Sequence, residues 1–212
     1  LGFEKFVDFV SCYIDLTKFE VPDKVTRVAE RVVEKGTFEI LNLESTQDAK
    51  DWALRIGHAY NKSLINNWEY YPITDEEIEF TLKSVLTVAD PKLLKFILKN
   101  GEIVGFIFGF KDLSAALQRG KGKLTPWAIA DILLENRRTR WLDMNGIGIL
   151  PEYQGMGGAA LMYHVMNKVI HEYEFDHCEM SQVAESAIQM RKDLITLGGR
   201  PYKNHRVFQK AI

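Results

Sequence analysis

Two cysteines in 212 residues, Cys12 and Cys178, are too few and too far apart to form a disulfide framework. Their scarcity fits a reducing compartment, so a cytoplasmic location is expected. No apolar run approaches transmembrane length and no signal-peptide pattern opens the chain, so no membrane partner is expected. Neither charge sign dominates. The 27 Lys and Arg against 29 Asp and Glu leave a net charge of −2, which excludes the global basic field that draws nucleic acid. The histidines, His58, His164, His171, His177 and His205, show no metal-ligand spacing with a cysteine or carboxylate. His177 and Cys178 are adjacent in a strand-like segment and face opposite ways, so no zinc or other metal is expected. What remains is 46% hydrophobic and 26% charged, enough for one sizeable core or one domain plus an appendage. The chain opens on Leu1 rather than Met, so processing or truncation ahead of it is expected.

The informative stretch is GILPEYQGMGGA at 148–159. A strand-like segment stops at Pro151, a glycine-rich loop follows, and an amphipathic helix begins. Such a loop gathers backbone N–H groups beside the positive end of a helix dipole, a place for phosphate or pyrophosphate. It is not a P-loop, because Ala159 and Ala160 stand where Lys and Ser or Thr would follow the last glycine. Nor does the spacing of Gly155, Gly157 and Gly158 match the dinucleotide fingerprint. The pattern Gln154-x-x-Gly157-x-Ala159 after Ile149-Leu150-Pro151 resembles the Q/R-x-x-G-x-G/A acyl-CoA motif of the GNAT superfamily of N-acyltransferases.

Patterning along the rest of the chain extends that resemblance. Residues 38–43 alternate as a strand, and Ser45, Thr46 and Asp48 start a helix running to about Leu64. Thr74 and Glu77 make a capping box for a helix through Leu86. Asn100-Gly101 between residues 94–99 and 102–110 signals a hairpin. Residues 113–138 form an insertion with a helix near 127–134. Residues 141–150 lead into the loop. The helix after it buries Leu161, Met162, Val165, Met166, Val169, Ile170 and Tyr173 on one face. A strand over 177–183, a helix over 186–197 and a strand over 202–212 close the domain. This order resembles that of a GNAT domain. It implies an α/β (mixed α+β) acyl-CoA N-acyltransferase fold, a central, mostly antiparallel, splayed sheet flanked by helices. Asn67-Trp68, Pro72-Ile73-Thr74, Asp90-Pro91, Val104-Gly105-Phe106, Glu179-Met180-Ser181 and Tyr202-Lys203-x-His205-Arg206-Val207 are similar to a group of bacterial GNAT-like proteins that tend to carry two such domains in tandem.

The two ends of the chain also look alike. Leu1-Gly2-Phe3 and Leu197-Gly198-Gly199 each open a 16-residue segment of strand-forming residues. On this likeness residues 1–16 are the tail strands of a preceding GNAT-like domain, pairing outside the main sheet or with another copy of the chain. Residues 17–36 are a connector helix with Val25, Val28, Ala29, Val32 and Val33 as its stripe, and residues 37–212 are the acyltransferase domain. A homodimer or tandem-domain packing follows as an expectation.

The resemblance implies acyl transfer, acetyl from acetyl-CoA being the expected case, to a small-molecule or peptide amine by direct attack. The acyl-CoA would lie on Gln154, Gly155, Met156, Gly157, Gly158 and Ala159, and the free backbone N–H groups of Ile147, Ile149 and Leu150 would bind the acyl carbonyl and pantetheine. Asp143 and Glu179 are the carboxylates placed to receive the amine proton; an ion pair or a solvated edge charge is the competing role for each. Glu152 is expected to be exposed. The helix over 186–197 lacks the usual tyrosine acid, with Arg191 and Leu194 at the relevant positions, and Ala187 replaces a common asparagine. Tyr163 and Tyr202 are near in sequence, with core packing as the expectation for both. These departures keep open a non-catalytic acyl-CoA-binding or sensing module. Trp68, Tyr70 and Tyr71 either line an acceptor pocket or pack in the core. Arg119, Lys121 and Lys123 are expected in a solvated loop.

Overall fold

The computed structural model describes residues 1–67 and 69–211. Trp68 and the terminal Ile212 lie outside the described residues. The sheet consists of β1 (Glu4–Asp15), β2 (Glu39–Asn42), β3 (Leu94–Lys99), β4 (Glu102–Lys111), β5 (Trp141–Ile149), β6 (His177–Ala184) and β7 (Arg200–Gln209). These form one seven-stranded sheet in the order β2-β3-β4-β5-β6-β1-β7, antiparallel except for the β5–β6 pair. The helices are α1 (Asp23–Glu34), α2 (Thr46–Asp51), α3 (Ala53–Leu64), α4 (Asp75–Val85), α5 (Ser114–Arg119), α6 (Pro126–Arg138), α7 (Gly158–Glu172) and α8 (Ile188–Thr196).

Local chemistry accounts for most boundaries. Thr74 and Glu77 cap α4 reciprocally, as do Ser45 and Asp48 for α2. Asn100 and Gly101 both take positive φ, 53° and 78°, the left-handed pair that joins β3 to β4 tightly. The helix expected from Ser45 to Leu64 is instead two, interrupted at Trp52, whose side chain lies under the Arg55 guanidinium.

Alternation on the strands builds two cores. On one face Ile97, Val104, Leu142, Cys178, Met180 and Cys12 pack under α7, α8 and α1. On the other, Leu94, Phe96, Leu98 and Phe106 pack under α2 and α3. Beyond β4 this face carries Asp143, Glu179 and Tyr13 in register across β5, β6 and β1, with Ser181 bonded to Asp143.

The pairing expected for residues 1–16 requires correction. They do not lie outside the main sheet. β1 is inserted between β6 and β7, with Tyr13 opposite Glu179 on one side and Arg200 on the other. Asp8 and Arg206 pair across β1 and β7 at 2.8 and 2.9 Å, and Lys5 reaches Glu185 at 2.6 Å. The valines and cysteine of β1 complete the core, since Val7, Cys12 and Ile14 are buried. Helix α1 is likewise packed, on α7, through Val28 and Val32. Val33, expected in its apolar stripe, faces solvent.

Candidate active site

β5 and β6 begin as partners and then part. Their parallel register runs from Trp141 opposite His177 to Met144 opposite Met180 and stops there. The reason lies in β5 itself. Between Met144 and Ile147 it carries one more residue than β4 does between Gly109 and Ile107, a β-bulge at Asn145–Gly146. Gly146 holds φ at 126°, which only glycine adopts without strain. The bulge turns β5 away from β6, and β6 goes on to pair with β1 through Val183 and Ala184.

The gap opens into a cavity of about 630 Å³ that passes through the sheet. Asn145, Gly146, Ile147, Gly148 and Ile149 line one side, and Ser181 to Ala184 the other. Leu150 donates its N–H to the Val104 carbonyl at 2.9 Å. Alternation along the strand then turns the N–H groups of Ile149 and Ile147 away from β4 and toward the gap. Of the three residues expected to offer free backbone donors, Leu150 therefore has none to spare.

The glycine loop sits at the head of the gap. Gln154 caps a short 3-10 turn over Pro151–Tyr153, and its side-chain amide donates back to the Ile149 carbonyl at 3.1 Å. Its side chain thus braces the loop. Gly155 and Gly157 take φ of 76° and 86°. A Cβ on Gly157 would lie 2.6 Å from Val32 Cγ2 and 3.0 Å from Val28 Cγ1, so glycine here is demanded by α1 as well as by the backbone. A Cβ on Gly155 would meet nothing within 4 Å. Met156 is exposed, Gly158 is buried against Ile97, and Ala159 follows in the first turn of α7. The first-turn N–H groups of Gly158, Ala159 and Ala160 have no partner within the helix and point out of its N-terminus. Glu152 is exposed, on the approach to this loop.

The two carboxylates differ. Asp143 and Glu179 stand side by side in register. Burial pushes the Asp143 carboxyl above its ordinary value, as do the charges of Glu179 and Asp112, against an opposing hydrogen bond from Ser181. The Ser181 hydroxyl donates to Asp143 Oδ1 and itself lines the cavity. Glu179 is bound by Lys203 Nζ at 2.6 Å and by the Tyr202 hydroxyl. Burial raises its pKa, but Lys203 and Tyr202 outweigh that and hold it below the ordinary value. Glu179 is committed to its ion pair, whereas Asp143 reaches the cavity through one hydroxyl.

Tyr163 packs against the core, as expected, and also borders the cavity. Its side chain lines the cavity from α7, and its hydroxyl is buried with no hydrogen-bond partner among the described residues. Burial first, then Asp193, pushes its pKa far up, so it stays protonated. Asn167 Oδ1, one turn on, and Ser63 Oγ across the sheet are also buried without partners, and both line the same cavity. Tyr202 points instead to Glu179. On α8, Arg191 is exposed and Leu194 is buried at the cavity wall. Tyr70 lines the cavity and donates to Asn61 Oδ1, while Tyr71 is exposed; Trp68 is outside the described residues. Arg119 is held by Asp131 at 2.7 Å and by Glu135, within the α5–α6 hairpin. Lys121 and Lys123 are exposed. Among the described residues no group of three or more His, Cys, Asp or Glu is placed to hold a metal ion, and no helix is long and apolar enough to cross a membrane.

A mostly antiparallel sheet that splays beside a glycine loop and a helix N-terminus defines the GNAT acetyltransferase fold. The chain superimposes on a GCN5-related N-acetyltransferase from Sphaerobacter thermophilus with a TM-score of 0.60 at 15% identity, over 98% of this chain and 52% of that one. It also superimposes on a tandem GNAT protein from the clavulanic acid biosynthesis pathway with a TM-score of 0.57 at 12% identity, over 98% of this chain and 54% of that one. In sequence the chain is similar to Protein YghO of Escherichia coli, 24% identical over 219 residues, covering 100% of this chain and 55% of that protein. It is also similar to the bacterial ceramide synthase of Caulobacter vibrioides, 26% identical over 158 residues, covering 72% of this chain and 41% of that protein. The chain thus spans about half the length of the curated relatives it matches. No family model matches it.

Proposed function

We propose that this chain is an acyl-CoA-dependent N-acyltransferase that moves an acyl group to an amine by direct attack. The observation that carries the reading is the cavity itself. It passes between the parted strands, takes Gln154 of the glycine loop into its wall, and holds buried polar side chains without partners among the described residues. A thioester supplies an activated acyl group there. The loop from Gly155 to Ala159 has the open backbone and dipole for a pyrophosphate, with Gln154 bracing it and Met156 at its rim. The N–H groups of Ile147 and Ile149 face where a carbonyl oxygen would acquire charge.

Asp143 is the base in this scheme. Ser181 passes its hydroxyl proton to Asp143 as it takes one from the attacking amine. The raised carboxyl pKa of Asp143 brings it closer to the basicity that the task needs. Tyr163 then donates a hydrogen bond to the departing sulfur. Glu179, tied to Lys203, orients the strand pair.

The acceptor is an amine entering from the α3 side, where Ser63, Asn66, Asn67, Glu69 and Tyr70 line the cavity. The ceramide synthase relative puts lipid amines in the panel to be tried alongside small-molecule and peptide amines. Residues 1–16 as strands of a preceding domain, with α1 as the link, remain our reading of the domain order. The outer edge of β7 and the exposed Phe3 and Phe208 beside it support packing against a second domain or copy. A cytoplasmic, bacterial setting is part of the same proposal.

Release of free thiol from acetyl-CoA, measured over an amine panel, tests the reading. A second reading, an acyl-CoA-binding module without turnover, is favoured by α8, which offers no tyrosine and starts after Ala187. Thioester binding with no thiol release across the panel would establish that one instead.

A further inference from the structure

The sheet divides the cavity into two arms, one mixed in polarity and one mainly apolar. On the α3 side Ser63, Asn66, Asn67 and Glu69 stand among Tyr60, Leu64 and Tyr70. On the α7–α8 side the last polar side chain along α7 is Asn167. Past it the lining comes from Ile170 on α7, Leu197 after α8, Ile14 and Leu16 from β1, and Phe19 and Val21 from the segment leading to α1. From Tyr163 to Ile170 the arm descends about 10 Å at 1.5 Å per helical residue. Protein interiors contain few voids, and an engineered apolar cavity of roughly 150 Å³ already stays dry and takes up apolar molecules. The whole cavity here, both arms together, measures about 630 Å³.

An acetyl group ends one carbon beyond its carbonyl. A carbonyl near the N–H groups of Ile147 and Ile149 would leave that arm empty if the chain stopped there. The arm on the α3 side, with its polar side chains, fits the acceptor and not an alkyl chain. Tyr163 and Asn167 mark the depth at which polar groups of a donor end, because along α7 only Ile170 follows them in the lining. We infer that the α7–α8 arm is an acyl-chain pocket, so that the donor is a medium- or long-chain acyl-CoA. This rests on the acyl-transfer reading and narrows its substrate class.

The test is calorimetric binding of CoA, acetyl-CoA, butyryl-CoA, octanoyl-CoA and lauroyl-CoA to the full chain. Affinity is expected to rise about fourfold per added methylene, the worth of burying one, until the arm is filled. Val21→Trp at the far end and Met190→Trp at the α8 wall should make the rise stop at shorter chains. Both positions are only partly buried, and thermal melts identify any variant that fails to fold. Acetyl-CoA affinity should stay within about twofold in a folded variant. A flat chain-length series with acetyl-CoA still bound overturns the pocket and leaves acyl transfer standing. So does a rise that neither tryptophan changes. Absence of binding by every CoA species overturns both.

Discussion

Ser181 donates its hydroxyl to Asp143 across the β5–β6 pair, and it is Ser181, not Asp143, that lines the cavity. A half-buried carboxylate of raised pKa is thereby connected to the place where an amine would attack, with one hydroxyl between them.

That relay gives the first prediction. Asp143→Asn should bind acetyl-CoA normally and lose roughly 10²–10⁴-fold in turnover, the usual contribution of a positioned base. Ser181→Ala should lose most of the same factor. In both variants the loss shrinks as pH rises toward the ordinary amine pKa of about 10.4, because the acceptor then deprotonates unaided. Glu179→Gln should leave turnover close to wild type but lower the melting temperature. Steady-state rates from pH 6 to 10 check all three; full activity in Asp143→Asn would remove the relay.

Tyr163→Phe should act in opposite directions on stability and rate. A buried hydroxyl without a partner costs about 1–3 kcal/mol, so its removal should raise the melting temperature. Turnover should fall, because the departing sulfur loses its donor. A melting curve and a thiol-release assay on the same preparation decide the matter. A variant that is stabler and fully active would assign Tyr163 to packing.

The loop glycines separate binding from packing. Gly155→Ala adds no clash, only a left-handed backbone cost of about 1–2 kcal/mol, and should weaken CoA binding with little change in melting temperature. Gly157→Val meets Val32 at once, so it should loosen α1 from α7 and abolish CoA binding together. Gln154→Ala should weaken binding less than Gly157→Val, since Gln154 acts through the Ile149 carbonyl. Calorimetry beside thermal melts distinguishes these outcomes.

The Asp8–Arg206 pair makes a prediction about pH. The Arg206 guanidinium, with smaller help from Asn204 and Lys5, holds the Asp8 carboxyl below its ordinary value against the effect of burial. A lowered pKa stabilises the fold above the unfolded carboxylate pKa of about 3.9 and is lost as pH falls below it. The melting temperature of wild type should therefore exceed that of Asp8→Asn at pH 7, and the gap should narrow toward pH 3. An unchanged gap would show that the pair contributes nothing to the β1–β7 junction.

Much of this fold is legible in local chemistry. Asn100-Gly101 announces its hairpin because only a few residues tolerate paired positive φ. Thr74 and Glu77 announce α4 because a cap needs those groups at that spacing. The loop from Gln154 to Ala159 is visible because a backbone that must stay bare is written as glycine. Non-local facts are not written this way. The likeness of residues 1–16 to the chain's end predicts strands but misplaces their partners, since nothing near Tyr13 specifies Glu179 and Arg200. The destination of the Tyr163 hydroxyl depends on where β5 and β6 part, and so on a bulge at Gly146 that has no signal beyond one glycine. The interruption at Trp52 has neither proline nor glycine to mark it.

The insertion of β1 between β6 and β7 has a kinetic consequence. Its neighbours in the sheet are strands that leave the ribosome some 160–200 residues later, as the pairing of Cys12 with Met180 and of Glu4 with Gln209 shows. Such ladders must close a long loop before any contact rewards it, which slows folding. Until β6 and β7 emerge, the nascent chain carries Val7, Cys12 and Ile14 on a strand without the neighbours it has in this sheet, where another copy can pair with it. Chaperone demand during synthesis, and domain-swapped species during refolding, should both originate at this strand.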